Sequence, residues 1–247
     1  MTDPWTLARA AAETAGVTIR ALERPADGEA VNRVIDRTWG GQRVDHEIVQ
    51  ALGYSGNPVW GAEADGELIG FALGWAGVDD EGLHVHSHMV AAIPDRRHAG
   101  VGYALKLAQR ASALDRGIEL MRWTFDPMVA RNAWFNLGKL GVVGDRFFPD
   151  FYGEMTDLIN AGDRSDRLVV RWVLTREPGP RDVPSGATVL PVPAQYADLR
   201  AADPPAAAAE RDRVRLGLEA AFAEGLVVAA FDRTSSSYVL AAEDGRT

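Results

Sequence analysis

An α/β fold built on a mixed central sheet flanked by helices is what the sequence predicts, on three observations. Residues 59–64 and 68–75 alternate in the manner of strands around Asp65-Gly66, a dipeptide suited to a two-residue hairpin turn. Residues 84–102, HVHSHMVAAIPDRRHAGVG, pass from strand-like alternation through Pro94-Asp95 into a basic, glycine-punctuated turn, and a long amphipathic run follows. Strand-like runs then return after helical ones, at 118–125 and 142–148. A helix that returns a strand beside its predecessor makes a parallel crossover, so the sheet has to be mixed.

Taken in order, residues 5–15 are alanine-rich with apolar residues at helical spacing, and Gly16 is their stop. A short strand is expected at 17–22. Ala30, Val31, Val34, Ile35 and Trp39 repeat at helical intervals, and a shorter helix follows at 45–52. The hairpin and the histidine-bearing strand make a three-stranded antiparallel meander that leads into the glycine turn. On the helix over 102–116, Leu105, Ala108 and Ser112 or Ala113 are expected to face the sheet, and Lys106, Gln109 and Arg110 to face water. A second helix is expected at 130–140, ending at Gly141, with later strands at 142–148 and 167–174.

Composition narrows the function. The 247 residues carry a net charge of −9, which argues against a nucleic-acid binder, since that class needs a basic face. No apolar run approaches the roughly 20 residues that span a bilayer, so no membrane partner is expected. Residues 1–15 lack the basic start and apolar centre of a signal peptide, and a cytoplasmic location is the expectation. With no cysteine, a thiolate nucleophile and a thiolate metal site are both excluded.

The chemistry concentrates at residues 84–103. Gly100 and Gly102 let the backbone bend tightly and let a ligand reach its N–H groups. The helix start beyond them has unpaired donors and the positive end of a dipole, which suit an anion. Arg96, Arg97 and His98 add side-chain donors, so a diphosphate fits. His84, His86 and His88 share one face of a regular strand, but the outer two stand about 13 Å apart, too far for one metal ion. No metal is therefore expected. As a general base a histidine is better suited, with a reference pKa of ≈6.5.

The spacing Arg97-x-x-Gly100-x-Gly102, between a strand and a helix, resembles the signature of the GNAT acetyltransferase superfamily. The resemblance covers about residues 17–175. It implies the GNAT acyltransferase fold, with a mostly antiparallel sheet, and an enzyme that moves an acyl group from acetyl-CoA, or another acyl-CoA, directly to an amine. The acceptor would be a small molecule or a protein. A non-catalytic acyl-CoA-binding module of the same fold is the alternative.

By the same resemblance, Arg96, Arg97, His98, Ala99, Gly100, Val101, Gly102 and Tyr103 hold the diphosphate. Met89, Val90, Ala91 and Ala92 give a splayed backbone to the pantetheine amides. Asn132 contacts the cofactor from the start of the second helix. His86 occupies the place of the family's usual glutamate base, with His88 as the alternative. Aligning Lys139-Leu140-Gly141 puts Leu137 where the family carries a tyrosine acid, so that Tyr152 from the following loop is the candidate to replace it. Asp126, at a strand end, either binds a cationic acceptor or caps the next helix.

Three prolines and a glycine at 178–184 predict a boundary. The expected organisation is an acyltransferase domain over 1–176, a linker over 177–184 and a small α/β extension over 185–247. That extension has strands at 188–192, 226–231 and 238–242 and a helix at 205–223. It packs either on the core or on a second subunit, leaving a homodimer open.

Overall fold

The computed structural model describes residues 2–41, 43–93, 100–155, 157, 161–182 and 186–243. They divide into two compact units: residues 1–122 with 156–161 and 173–177, and residues 123–155 with 162–172 and 178–247.

The first unit begins with α1 (Pro4–Thr14), started by the Asp3 carboxylate, which accepts from the Thr6 N–H at 2.7 Å, and followed by Gly16 at φ 66°. Next come β1 (Thr18–Ala21), α2 (Pro25–Thr38), α3 (His46–Tyr54), β2 (Trp60–Ala64), β3 (Glu67–Asp79), β4 (Gly82–Ala92), α4 (Val101–Leu114) and the start of β5 (Leu120–Phe125). The strands lie in the order β1-β2-β3-β4-β5. The first three pairings are antiparallel, and the last, β4 with β5, is parallel, as the crossover through α4 requires. Asp65 (φ 52°) and Gly66 (φ 78°) both take the left-handed conformation that a tight hairpin with the strands' twist demands. Leu22, Val31, Val34, Ile35, Phe71 and Leu105 are buried in one core.

One expectation is overturned here. Lys106, Gln109 and Arg110 do not face water: they are 2 %, 0 % and 0 % exposed. α4 is covered by α1 as well as by the strands, so it has no broad solvent face. Its polar groups find internal partners instead, as buried polar groups must. Arg110 donates from Nε to the Leu174 carbonyl at 2.8 Å and from Nη2 to that of Arg176 at 3.1 Å.

The second unit contains the end of β5, α5 (Ala130–Ala133), β6 (Val143–Phe148), β7 (Arg167–Val173) less its last residue, β8 (Thr188–Pro191), α6 (Tyr196–Ala202), α7 (Pro204–Ala223), β9 (Leu226–Asp232) and β10 (Ser237–Ala242). Its strands run β7-β6-β9-β10-β8. The boundary expected at 177–184 does not set the tail apart. β9 pairs with β6 at Gly144–Val228, so the expected extension shares one unit with residues 123–155.

The helix expected at 130–140 also differs. After α5 the chain continues as a π-helix over Trp134–Leu140. Gly138 lies so close beneath Trp134 that a Cβ would stand 2.3 Å from the indole. Asn136 accepts from the Trp123 indole N–H at 3.2 Å, and its carbonyl takes the N–H of Gly141, which has φ 72°. α6, unanticipated, has no side-chain cap to announce it.

Candidate active site

In the first unit the histidine strand is centred on a bulge. β4 pairs with β3 at His86–Trp75, Ser87–Gly74 and Met89–Leu73, which leaves His88 as the extra residue. The imidazoles of His86 and His88 lie 5.7 Å apart, each 4.9 Å from the Trp75 indole, so the three rings form one cluster. Burial, reinforced by His88, His84 and Lys106, pulls the His86 pKa down to about 4. Burial lowers that of His88 as well. Both imidazoles are therefore neutral at pH 7, each with a nitrogen lone pair able to accept a proton. Among the described residues no cluster of three or more metal-ligating side chains exists.

Met89, Val90, Ala91 and Ala92 pair with Leu73, Ala72, Phe71 and Gly70 of β3. Within this unit β4 meets β5 at Val85–Met121 and His86–Arg122, near the start of its length. Gly100 stands at the head of α4 with φ 136°, a conformation only glycine adopts easily. The first turn of the helix closes with the Ala104 N–H on the Gly100 carbonyl at 2.9 Å. The amides of Val101, Gly102 and Tyr103 precede that bond, at the positive end of a helix of 14 residues. These residues fit an anionic group. Arg96, Arg97, His98 and Ala99 lie outside the described residues.

In the second unit Tyr152 is 41 % exposed. Its hydroxyl is 3.2 Å from Thr124 Oγ1 on β5, and the Arg167 guanidinium lies 5.3 Å from its ring centre. The Tyr152 amide donates to Ser165 Oγ at 3.0 Å, which holds the turn in place. Asn132 sits on α5, half-buried, with its backbone N–H on the Val129 carbonyl. Leu137, at the family's tyrosine position, is fully buried.

Asp126 is committed elsewhere. Both its oxygens take the Arg211 guanidinium, at 3.1 and 2.9 Å, and one also accepts from the Met128 N–H at 2.8 Å. Of the two roles left open for it, the helix cap is not made: the N-cap of α5 is Val129, with no side-chain hydrogen bond, and Asp126 holds the turn before it while pairing with Arg211.

Two groups of residues escaped sequence reasoning. One is the buried set Lys106, Ser87 and Gln109, of which Lys106 and Gln109 lie on a helix taken as half solvated and Ser87 on β4. The other is Arg211, whose side chain is 1 % exposed. Nothing local in the sequence marks it, because its partners are far away along the chain.

Comparison with known proteins follows the same lines. Residues 28–138 match the model of the acetyltransferase (GNAT) family. This stretch is similar to a GNAT acetyltransferase domain. The GNAT fold extends beyond it in solved structures. Naa20 of Chaetomium thermophilum, in complex with a bisubstrate analogue, is 20 % identical and superposes over 68 % of this chain and 95 % of its own, with a TM-score of 0.50. Arabidopsis thaliana Naa50, bound to the bisubstrate analogue CoA-Ac-MVNAL, is 14 % identical over 63 % and 97 %, with a TM-score of 0.52. GphF, a GNAT-like decarboxylase in complex with isobutyryl-CoA, is 18 % identical over 64 % and 99 %, with a TM-score of 0.51. At these identities the likeness is one of fold. No curated protein gives a significant sequence match.

Proposed function

We propose that the protein is an acyl-CoA-dependent N-acyltransferase, passing an acetyl group from acetyl-CoA to an amine of a small molecule or a protein. The observation that carries this reading is the pair of neutral imidazoles on a bulged strand that runs toward a glycine-started helix. The amide donors of Val101 and Gly102 suit the diphosphate of the acyl carrier. His86, or His88 beside it, takes the proton of the acceptor amine as its nitrogen attacks the thioester carbonyl. The new C–N bond forms, the C–S bond breaks, and the CoA thiolate leaves. That thiolate takes its proton from solvent, because Leu137 has no proton to give.

A second reading, an acyl-CoA-binding module without turnover, is favoured by the buried Leu137. Thiol release from acetyl-CoA, measured with a panel of amines, separates the two. Amine-dependent release supports the transferase. Binding without release in the presence of every amine supports the module.

The basicity of the proposed base makes a further prediction. An imidazole acts as a general base only when neutral, so acidification removes activity as the pH falls through the folded-state pKa. For His86 that is about 4. After correction for the titration of the acceptor, kcat/KM is expected to stay level from pH 8 to about 5 and to fall only below that. An acid limb centred near the ordinary ≈6.5 contradicts the assignment.

A further inference from the structure

β4 turns Ser87 away from the two imidazoles and into the interface with α4, as strand alternation dictates. There a directional chain of hydrogen bonds runs through the core. Lys106 Nζ donates to Ser87 Oγ at 2.8 Å, Ser87 Oγ donates to Gln109 Oε1 at 2.7 Å, and Gln109 Nε2 donates to the Pro58 carbonyl at 3.1 Å. All three side chains are at most 2 % exposed. Across the ladder stands Gly74, where a Cβ would lie 2.7 Å from the His86 carbonyl and 3.1 Å from Gln109 Nε2. The backbone between the two imidazoles is therefore gripped from α4 on one side and closely approached by β3 on the other.

Burying a lysine amine is costly, and apolar packing of similar volume would stabilise the fold as well or better. Burial favours the neutral amine of Lys106, which holds its ammonium pKa well below the usual range. A neutral amine is still a donor, and its direction matters: Ser87 has one proton, and a donor on its lone pair commits that proton to Gln109. The consequence falls on the adjoining residues, since the bulge begins where Ser87 is held and His88 is the residue it extrudes.

We propose that Lys106 and Ser87 are positioning residues, which pin the β4 bulge to α4 and so set the directions of the His86 and His88 imidazoles. This rests on the reading of that pair as the base of the acyl transfer. Displacing a catalytic group by about an ångström costs on the order of 100-fold in rate, so a pinned bulge has kinetic value.

The test uses the full chain with Lys106→Met, which keeps the stem and removes the donor, and Ser87→Ala, the smaller change. Folded variants, checked by circular dichroism, are expected to lose about 10- to 100-fold in kcat with unchanged affinity for acetyl-CoA. The ring resonances of His86 and His88, assigned in NMR spectra through His86→Gln and His88→Gln, are expected to move in both. Ser87→Thr, which keeps the hydroxyl, is expected to restore both readouts. A merely structural role would lower the melting temperature and leave kcat and the imidazole resonances as in the wild type, and that result in Ser87→Ala overturns the proposal. Absence of acyl transfer by the wild type would instead count against the transferase reading, and the ring resonances alone would then decide this one.

Discussion

Replacing His86 by glutamine is expected to lower kcat for acyl transfer by about 10²- to 10⁴-fold, the usual contribution of a positioned general base. The dissociation constant for acetyl-CoA is expected to stay unchanged, because the proposed diphosphate donors are the main-chain amides at the head of α4. Turnover and binding thus separate in one variant, the mark of an interaction made only in the transition state. The two imidazoles share one aromatic face, with Trp75 at 4.9 Å from each, so His88→Gln is the necessary companion. A large loss in His88→Gln with none in His86→Gln would move the role by two residues. Full activity in both variants would remove the imidazoles from the mechanism.

The largest effect on stability is expected at Arg211. Its guanidinium takes both oxygens of Asp126 and, at 2.7 Å, one of Asp163; Asp166 Oδ2 lies 4.0 Å away and the Tyr196 hydroxyl accepts from Nε at 3.2 Å. Arg211→Met leaves these carboxylates buried without their main cation. Breaking a buried ion pair from one side costs about 3–5 kcal/mol, and the urea midpoint is expected to fall accordingly. The loss arises from charge left behind and not from the attraction itself, so adding Asp126→Asn is expected to recover part of it. Burial raises the Asp163 pKa, but the hydrogen bond and charge of Arg211 outweigh it and hold the carboxyl below its ordinary value. The stability that this group contributes is therefore present at neutral pH and lost as the pH falls from the ordinary carboxylate range through the lowered pKa. A midpoint unchanged by Arg211→Met would show that the cluster contributes nothing.

The parts of the fold legible in the sequence are those written locally. Asp65-Gly66 announced its hairpin because both residues must take positive φ, and Gly16 and Gly141 marked helix ends for the same reason. The crossover that makes β4 and β5 parallel was legible from the order of elements. What was hidden depends on distant partners. Gly102, Lys106, Gln109 and Ala113 lie on one stripe of α4 at helical spacing, but polarity was read as exposure. That stripe faces the sheet, where Lys106 and Gln109 bond to Ser87 and the Pro58 carbonyl. The pairing of Arg211 with Asp126 spans 85 positions, and no period or motif links them. Neither the π-helix after α5 nor the packing of Gly138 under Trp134 shows in a count of apolar residues. The union of the tail with residues 123–155 rests on a strand pairing between Gly144 and Val228, also remote in sequence.

The claim on which the functional account stands is that main-chain donors at the head of α4 hold the diphosphate of an acyl carrier. Calorimetric titration with acetyl-CoA and with acetyl-pantetheine, which has the same thioester arm but no diphosphate, tests it directly. Two hydrogen bonds to a charged group are worth about 3–6 kcal/mol, so acetyl-CoA is predicted to bind at least about 100-fold more tightly. Equal affinities, or no heat with either ligand, would contradict the account.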